Sequence, residues 1–206
     1  MKWVPLGLVR YTLCLGGLSV FFFTLCILTG PFLMLYYVPD VNRAHADVMD
    51  ISQVVPFGSF VRNVHRWAAC LMVVSVPAHM LRVFLQAAYK PPRQLNWLVG
   101  VNLLVLTYLL AFTGYLLPWD QEAYWGASIG ATMAENTPIL GAKGPFSVLP
   151  PDKDMHYIML GGTVLDQPAL TRFFFAHCIA IPGAMAALMG FHFYNIHRAG
   201  GMSGPL

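Results

Sequence analysis

Four stretches of this sequence run for twenty or more residues with few charges, over about 11–38, 61–88, 97–117 and 171–196. A helix rises about 1.5 Å per residue, so about 20 apolar residues cross the roughly 30 Å of a bilayer's hydrocarbon core. Lipid offers the backbone no hydrogen bonds, so an apolar run of this length satisfies its amides internally, as a helix. The expectation is an all-α transmembrane fold, a four-helix bundle forming a single membrane domain over residues 1–206. Prolines mark its joints. Pro31 and Pro39 bracket the end of the first span, Pro91 and Pro92 end the second, and Pro118 ends the third. Pro77 and Pro182 fall inside spans, where a membrane helix tolerates a kink.

Composition agrees with a membrane protein. Of the 206 residues 57% are hydrophobic and 10% charged, whereas a soluble domain carries about 25% charged residues. The net charge of +3 is not gathered into a basic face, so no nucleic-acid partner is expected. The four cysteines lie in or beside apolar segments and do not read as a disulfide framework. The apolar run after Lys2 and Arg10 is too long for a signal peptide. All nine acidic residues lie in two loops, one with Asp40, Asp47 and Asp50, the other running from Asp120 to Asp166. Lys2, Arg10, Arg82, Lys90, Arg93 and Arg198 lie on the opposite side, which puts both termini in the cytoplasm or its equivalent. The second acidic loop, about 120–170, is too long for a mere connector. Its first part, Asp120 to Glu135, is expected to form a short surface helix over the outer mouth of the bundle.

Histidines give the bundle a purpose. His65 and His79 are fourteen residues apart in the second span, and His177 and His192 fifteen apart in the fourth. In regular helices these spacings mean roughly 21 and 22 Å of rise and about 40° and 60° of rotation. Each helix then shows two imidazoles on nearly one face, one near each membrane surface. Facing antiparallel helices give two His–His pairs at two depths, His65 with His177 and His79 with His192. Two axial imidazoles are what a six-coordinate haem iron needs. Intramembrane ionisable residues are usually functional. The plain alternative, buried polar residues in a transporter or channel bundle, does not account for matched spacing.

Glycines repeat the interval. Gly16 and Gly30 are fourteen apart in the first span, and Gly100 and Gly114 in the third. A residue without a side chain lets a non-ligating helix approach a flat macrocycle, although small residues also serve ordinary helix packing. Arg62 and Arg66 flank His65, and Arg82 follows His79 by three. Guanidinium pairs bidentately with carboxylate, so haem propionates are their expected partners. Snorkelling to the interface is the alternative for Arg82 and Arg172.

Several runs carry a family resemblance: Cys14-Leu15-Gly16-Gly17, Val64-His65-Arg66-Trp67, Thr113-Gly114-Tyr115, Leu117-Pro118-Trp119-Asp120-Gln121, Leu170-Thr171-Arg172-Phe173 and the terminal Ser203-Gly204-Pro205-Leu206. With them the sequence resembles the cytochrome b/b6 family, in particular the short cytochrome b of b6f-type quinol-oxidising complexes. The resemblance implies two b haems on the pairs given above. It implies a third haem, of c type, held covalently by a thioether to Cys14 at the inner quinone site. It implies quinol oxidation at the outer face, with one electron passing to a Rieske iron–sulfur protein and one crossing the membrane. Tyr115, Pro118, Trp119 and Tyr124 are the residues expected at the outer quinol pocket. The implied partners are quinone and quinol, a C-terminal cytochrome b subunit of the subunit IV type, the Rieske protein, a c-type cytochrome, lipid, and a second copy of the complex. The implied setting is a bacterial inner membrane or a thylakoid-type membrane. A di-haem b anchor of a dehydrogenase or hydrogenase is the alternative; Cys14 and the Pro-Trp-Asp-Gln run favour the first reading. The sequence departs from plant-type members at His197, where they have arginine, and in a longer outer loop, Pro150 to Gln167 with His156.

Overall fold

The computed structural model describes residues 13–201. Lys2, Arg10, the expected start of the first span and the terminal Ser203 to Leu206 lie outside the described residues. The helices are α1 (Leu15–Met34), α2 (Ala44–Gln53), α3 (Gly58–Leu85), α4 (Gln94–Leu116), α5 (Gln121–Glu135), α6 (Met155–Leu160), α7 (Gln167–Phe175) and α8 (Ile181–Arg198), with a π turn, Ala176–Ala180, joining α7 to α8. No strand occurs among the described residues. Among the described residues four helices are long and apolar enough to cross a membrane: Leu15–Met34, Gly58–Leu85, Gln94–Leu116 and the composite Gln167–Arg198.

The expected surface helix after the third span is α5. Pro118 lacks an N–H and stops α4. Trp119 takes φ +51°, a rare left-handed conformation for a bulky residue, and turns the chain sharply. Asp120 then caps α5, its carboxylate accepting from the Ala123 amide at 2.8 Å. Two features differ from the sequence expectation. Helix α2 was not expected; its signal was an amphipathic pattern whose buried members are Ala44, Asp47 and Ile51. The fourth span is not a uniform α-helix either. Pro182 donates no bond, and its ring crowds the carbonyl four residues back, at Cys178. The wider i→i+5 turn over 176–180 sits where that conflict falls. His177 lies in this turn, so the rotation counted at 100° per residue does not hold through it.

The chain divides into two compact units, residues 1–31, 61–111 and 181–206, and residues 32–60 and 112–180. In the first, Phe23 of α1, Met72 of α3, Leu110 of α4 and Met185 of α8 form one buried cluster. Met72 is seven residues from both His65 and His79, and Phe23 seven from both Gly16 and Gly30. Seven residues are nearly two turns, about 10.5 Å of rise. The apolar layer therefore shares a face with the histidines of α3 and lies midway between them. Ser19 and Ser75 meet within this unit, their hydroxyls 3.0 Å apart.

In the second unit, Ala123, Ala127 and Ala131 form a stripe of small residues on α5 packed with Leu116, Leu160, Ala169 and Phe173. Tyr37, Ala44, Ile51 and Leu170 form a neighbouring cluster, and Leu117 and Trp119 pack against both. The Tyr37 hydroxyl donates to the Leu117 carbonyl at 2.6 Å. Gln167 ties α7 to the loop before α2, accepting from the Val41 amide at 2.9 Å and donating to the Pro39 carbonyl at 2.7 Å.

Asp154 organises the long outer loop. Its carboxylate is buried and accepts from the amides of Tyr157 at 2.9 Å and Ala142 at 3.1 Å. Burial acts to raise its pKa, but those two amides and the neighbouring His156 outweigh it and hold the carboxyl below its usual value. Gly161 ends α6 at φ +74°, where a Cβ would meet Pro168 at 2.8 Å and the Arg172 guanidinium at 2.9 Å. Arg172 donates to the carbonyls of Tyr157 and Ile158. Its role in the structure is thus to hold the loop helix, with its aliphatic stem free to cover apolar surface.

Candidate functional site

Each of the four span histidines lies against one of the four glycines. A Cβ added at Gly16 would lie 3.0 Å from Cε1 and 3.2 Å from Nδ1 of His79. One at Gly114 would lie 2.9 Å from Nδ1 and 3.0 Å from Nε2 of His177, and closer still to Cε1. At Gly30 and Gly100 the nearest atoms are Cε1 of His65 and of His192, both at 3.8 Å. The sequence reading set these glycines at the edge of a macrocycle. In the structure the open face of each meets an imidazole ring, so at Gly16 and Gly114 the missing side chain is what admits the ring.

Hydrogen bonds distinguish the rings. His65 Nδ1 is 2.7 Å from Thr29 Oγ1, and His177 Nδ1 is 3.4 Å from Thr113 Oγ1. His192 Nδ1 is buried with no hydrogen-bond partner among the described residues, and the Asn96 backbone faces the same ring. His79 lies within electrostatic reach of both His192 and Arg82. The first unit holds His65, His79 and His192, and the second His177.

The residues fit a haem. Neutral imidazole is the form that ligates iron. At Gly16 and Gly114 the absent side chain makes room for an imidazole, and Thr29 engages Nδ1 of His65, not Nε2. A cluster of three or more His, Cys, Asp or Glu side chains able to hold a bare metal ion does not occur among the described residues. Pairs of imidazoles without carboxylates or thiolates are the donor set of a porphyrin iron, which needs only two axial ligands from the protein.

Cys14 is exposed, has φ +50° and lies two residues before Gly16, whose open face meets His79. Arg62 and Arg82 are half-buried and Arg66 is exposed. The residues expected at the quinol pocket converge in the second unit. Trp119 and Tyr124 meet edge to face with centroids 6.4 Å apart, and Tyr124 meets Trp125 at 5.6 Å. The Tyr115 hydroxyl donates to Glu122 Oε2 at 3.1 Å, and Pro118 lies in the turn between them. Sequence reading missed Glu122 and Thr29. Glu122 was marked by its place just after the Pro-Trp-Asp-Gln run, while nothing in the sequence singled out Thr29.

Apolar helices carrying glycine-seated imidazoles define a class, that of helical membrane proteins built to hold porphyrins between their spans. Comparison with known proteins gives the family. The family model described as Cytochrome b/b6/petB matches residues 2–200. The menaquinol:cytochrome c reductase cytochrome b subunit of Bacillus subtilis (strain 168) is 41% identical over 197 residues, covering 95% of this chain and 83% of that one. A cytochrome b6 of Heliobacterium mobile is 41% identical over 203 residues, covering 98% and 90%. A solved chain of a hyperthermophilic respiratory Complex III superposes with a TM-score of 0.81 at 32% identity, covering 94% of this chain. This chain spans 49% of the length of that solved chain.

The chain belongs to the cytochrome b/b6 family and is a multi-pass membrane protein. Its relatives are cytochrome b6 and reductase cytochrome b subunits, so the reading as a dehydrogenase or hydrogenase anchor is not favoured. The family implies haem b.

Proposed function

We propose that this chain is the membrane electron-carrying subunit of a quinol-oxidising complex and binds two b haems, one on His65 and His177 and one on His79 and His192. The seating of every one of the four imidazoles on a glycine carries this reading. Haem, when bound there, supplies reversible one-electron chemistry. The chain's own part is to hold the axial nitrogens, keep the rings in fixed orientations and exclude water. The buried layer of Phe23, Met72, Leu110 and Met185 does the last of these. Arg62, Arg66 and Arg82 supply guanidinium groups for propionates.

Tyr115, Pro118, Trp119 and Tyr124 form this chain's share of an outer quinol pocket. The aromatic faces of Trp119 and Tyr124 suit a flat ring, and the hydrogen bond from Tyr115 to Glu122 places a proton-accepting carboxylate beside it. The rest of that pocket belongs to a C-terminal cytochrome b partner of the subunit IV type. Electrons leave through a Rieske iron–sulfur protein and a c-type cytochrome, in a dimeric complex with lipid between its helices. The confinement of acids to two loops supports an orientation with both termini on the cytoplasmic side. Cys14 holds a further haem, of c type, through one thioether, next to the haem on His79 and His192.

The experiment is a redox-titrated difference spectrum of the complex purified from haem-replete cells. Two b-type components with separate midpoint potentials are expected; a colourless complex would refute the proposal. On denaturing gels a haem stain is expected at the mass of this chain. Cys14→Ala is expected to abolish that stain while both b-type components remain, and a stain that survives the substitution removes the covalent haem from the account.

A further inference from the structure

Thr29 makes two short contacts through one oxygen. Its Oγ1 is 2.7 Å from the Leu25 carbonyl one turn back and 2.7 Å from His65 Nδ1. The Cys26 carbonyl, at 3.3 Å, is a third and longer contact. A hydroxyl has one proton and two acceptor lone pairs, and a carbonyl has no proton to give. At this separation two oxygens, or an oxygen and a bare nitrogen, repel unless a proton lies between them. The hydroxyl proton therefore goes to Leu25, and the proton of the other contact comes from the ring.

We infer that Thr29 is a positioning residue that fixes His65 as its Nδ1–H tautomer and presents the Nε2 lone pair to a haem iron. This rests on the proposed role of His65 as an axial ligand. The threonine is itself held in place, because back-bonding to the carbonyl at i−4 selects its rotamer. An acceptor on the far ring nitrogen fixes the orientation of a ligating histidine and raises its basicity. In an apolar span such a bond is stronger than in water. Thr113 offers His177 a weaker version at 3.4 Å, and the backbone of Asn96 faces the His192 ring. Thr29 acts on one haem because the imidazole it meets is that of His65. A more basic ligand favours ferric iron, so this haem titrates at a lower potential than it would without the hydroxyl.

The test uses the assembled complex carrying Thr29→Val, Thr29→Ser or, as a control, Thr24→Val, whose hydroxyl bonds to the Val20 carbonyl at 2.8 Å. Three quantities are measured: haem content, the midpoint potentials of both b haems, and their low-temperature electron paramagnetic resonance spectra. Thr29→Val is expected to raise the potential of one b haem, move that haem's low-spin signal and weaken its retention by about tenfold, while leaving the other haem alone. Thr29→Ser restores all three, and Thr24→Val changes none. If Thr29→Val loses one haem entirely, retention of that haem in Thr29→Ser supports the inference and its loss in both overturns it. Unchanged potentials and signals in Thr29→Val, or equal shifts in both haems, also overturn it. A wild-type complex without b haems refutes the functional proposal instead, so the two failures are distinct.

Discussion

Replacing His79 with leucine is expected to cut the b-haem content of the complex from two per chain to one while the chain still inserts and folds. His79 lies in a long apolar helix, where leucine is a good helix former of suitable size. The substitution removes a polar group from an apolar span, so backbone and packing have little reason to fail. What disappears is an axial ligand, and a six-coordinate site cannot be completed from the remaining imidazole. Pyridine haemochrome analysis reads the haem count, and redox titration is expected to lose one of its two steps. His192→Leu should give the same loss, because His79 and His192 act within reach of each other. The double variant should lose no more than either single one, since residues serving one site are not additive. Two different losses that add together would mean that these histidines do not share a haem.

Gly114→Ala carries the second large effect. Its Cβ would press on the His177 ring, 2.9 Å from Nδ1 and 3.0 Å from Nε2, distances that real Cβ contacts essentially never reach or barely reach. The ring must turn or move away. An axial ligand displaced in this way is expected to weaken haem retention at that site by about 10- to 100-fold, the usual scale for disturbing a ligand's immediate support. Gly100→Ala is the informative contrast. Its Cβ would stand 3.8 Å from His192 Cε1, ordinary van der Waals contact, and is expected to be tolerated. If these glycines served only general helix packing, both alanines would cost about the same and neither would touch one haem selectively. Haem content and the two midpoint potentials, measured on both variants, separate these cases.

Much of the bundle was legible in the sequence because the information lies along the chain. Apolar runs longer than a bilayer is thick have one backbone solution. Pro118 followed by Asp120 marks the end of one helix and the cap of the next, and α5 begins at Gln121 as that pair requires. The spacing of His65 and His79 sets their separation in depth as soon as α3 is a helix. The π turn escaped this logic. Pro182 announced a conflict with the carbonyl at Cys178, yet a kink and a wider turn both relieve such a conflict, and the sequence does not choose between them.

What meets what was decided only in three dimensions. The sequence put Gly16 and Gly114 on the correct interval, but an interval does not name the group that fills the space left by a missing side chain, and in the structure it is an imidazole. Thr29 looked like any threonine in an apolar span until α1 lay against α3 and its hydroxyl reached His65. Arg172 looked like an interfacial cation until the outer loop folded back to offer it two carbonyls. Periodicity and residue spacing fix geometry within one helix, because rise and rotation per residue are set by local sterics. Contacts between helices depend on how several faces pack at once, and no count along a single segment contains that.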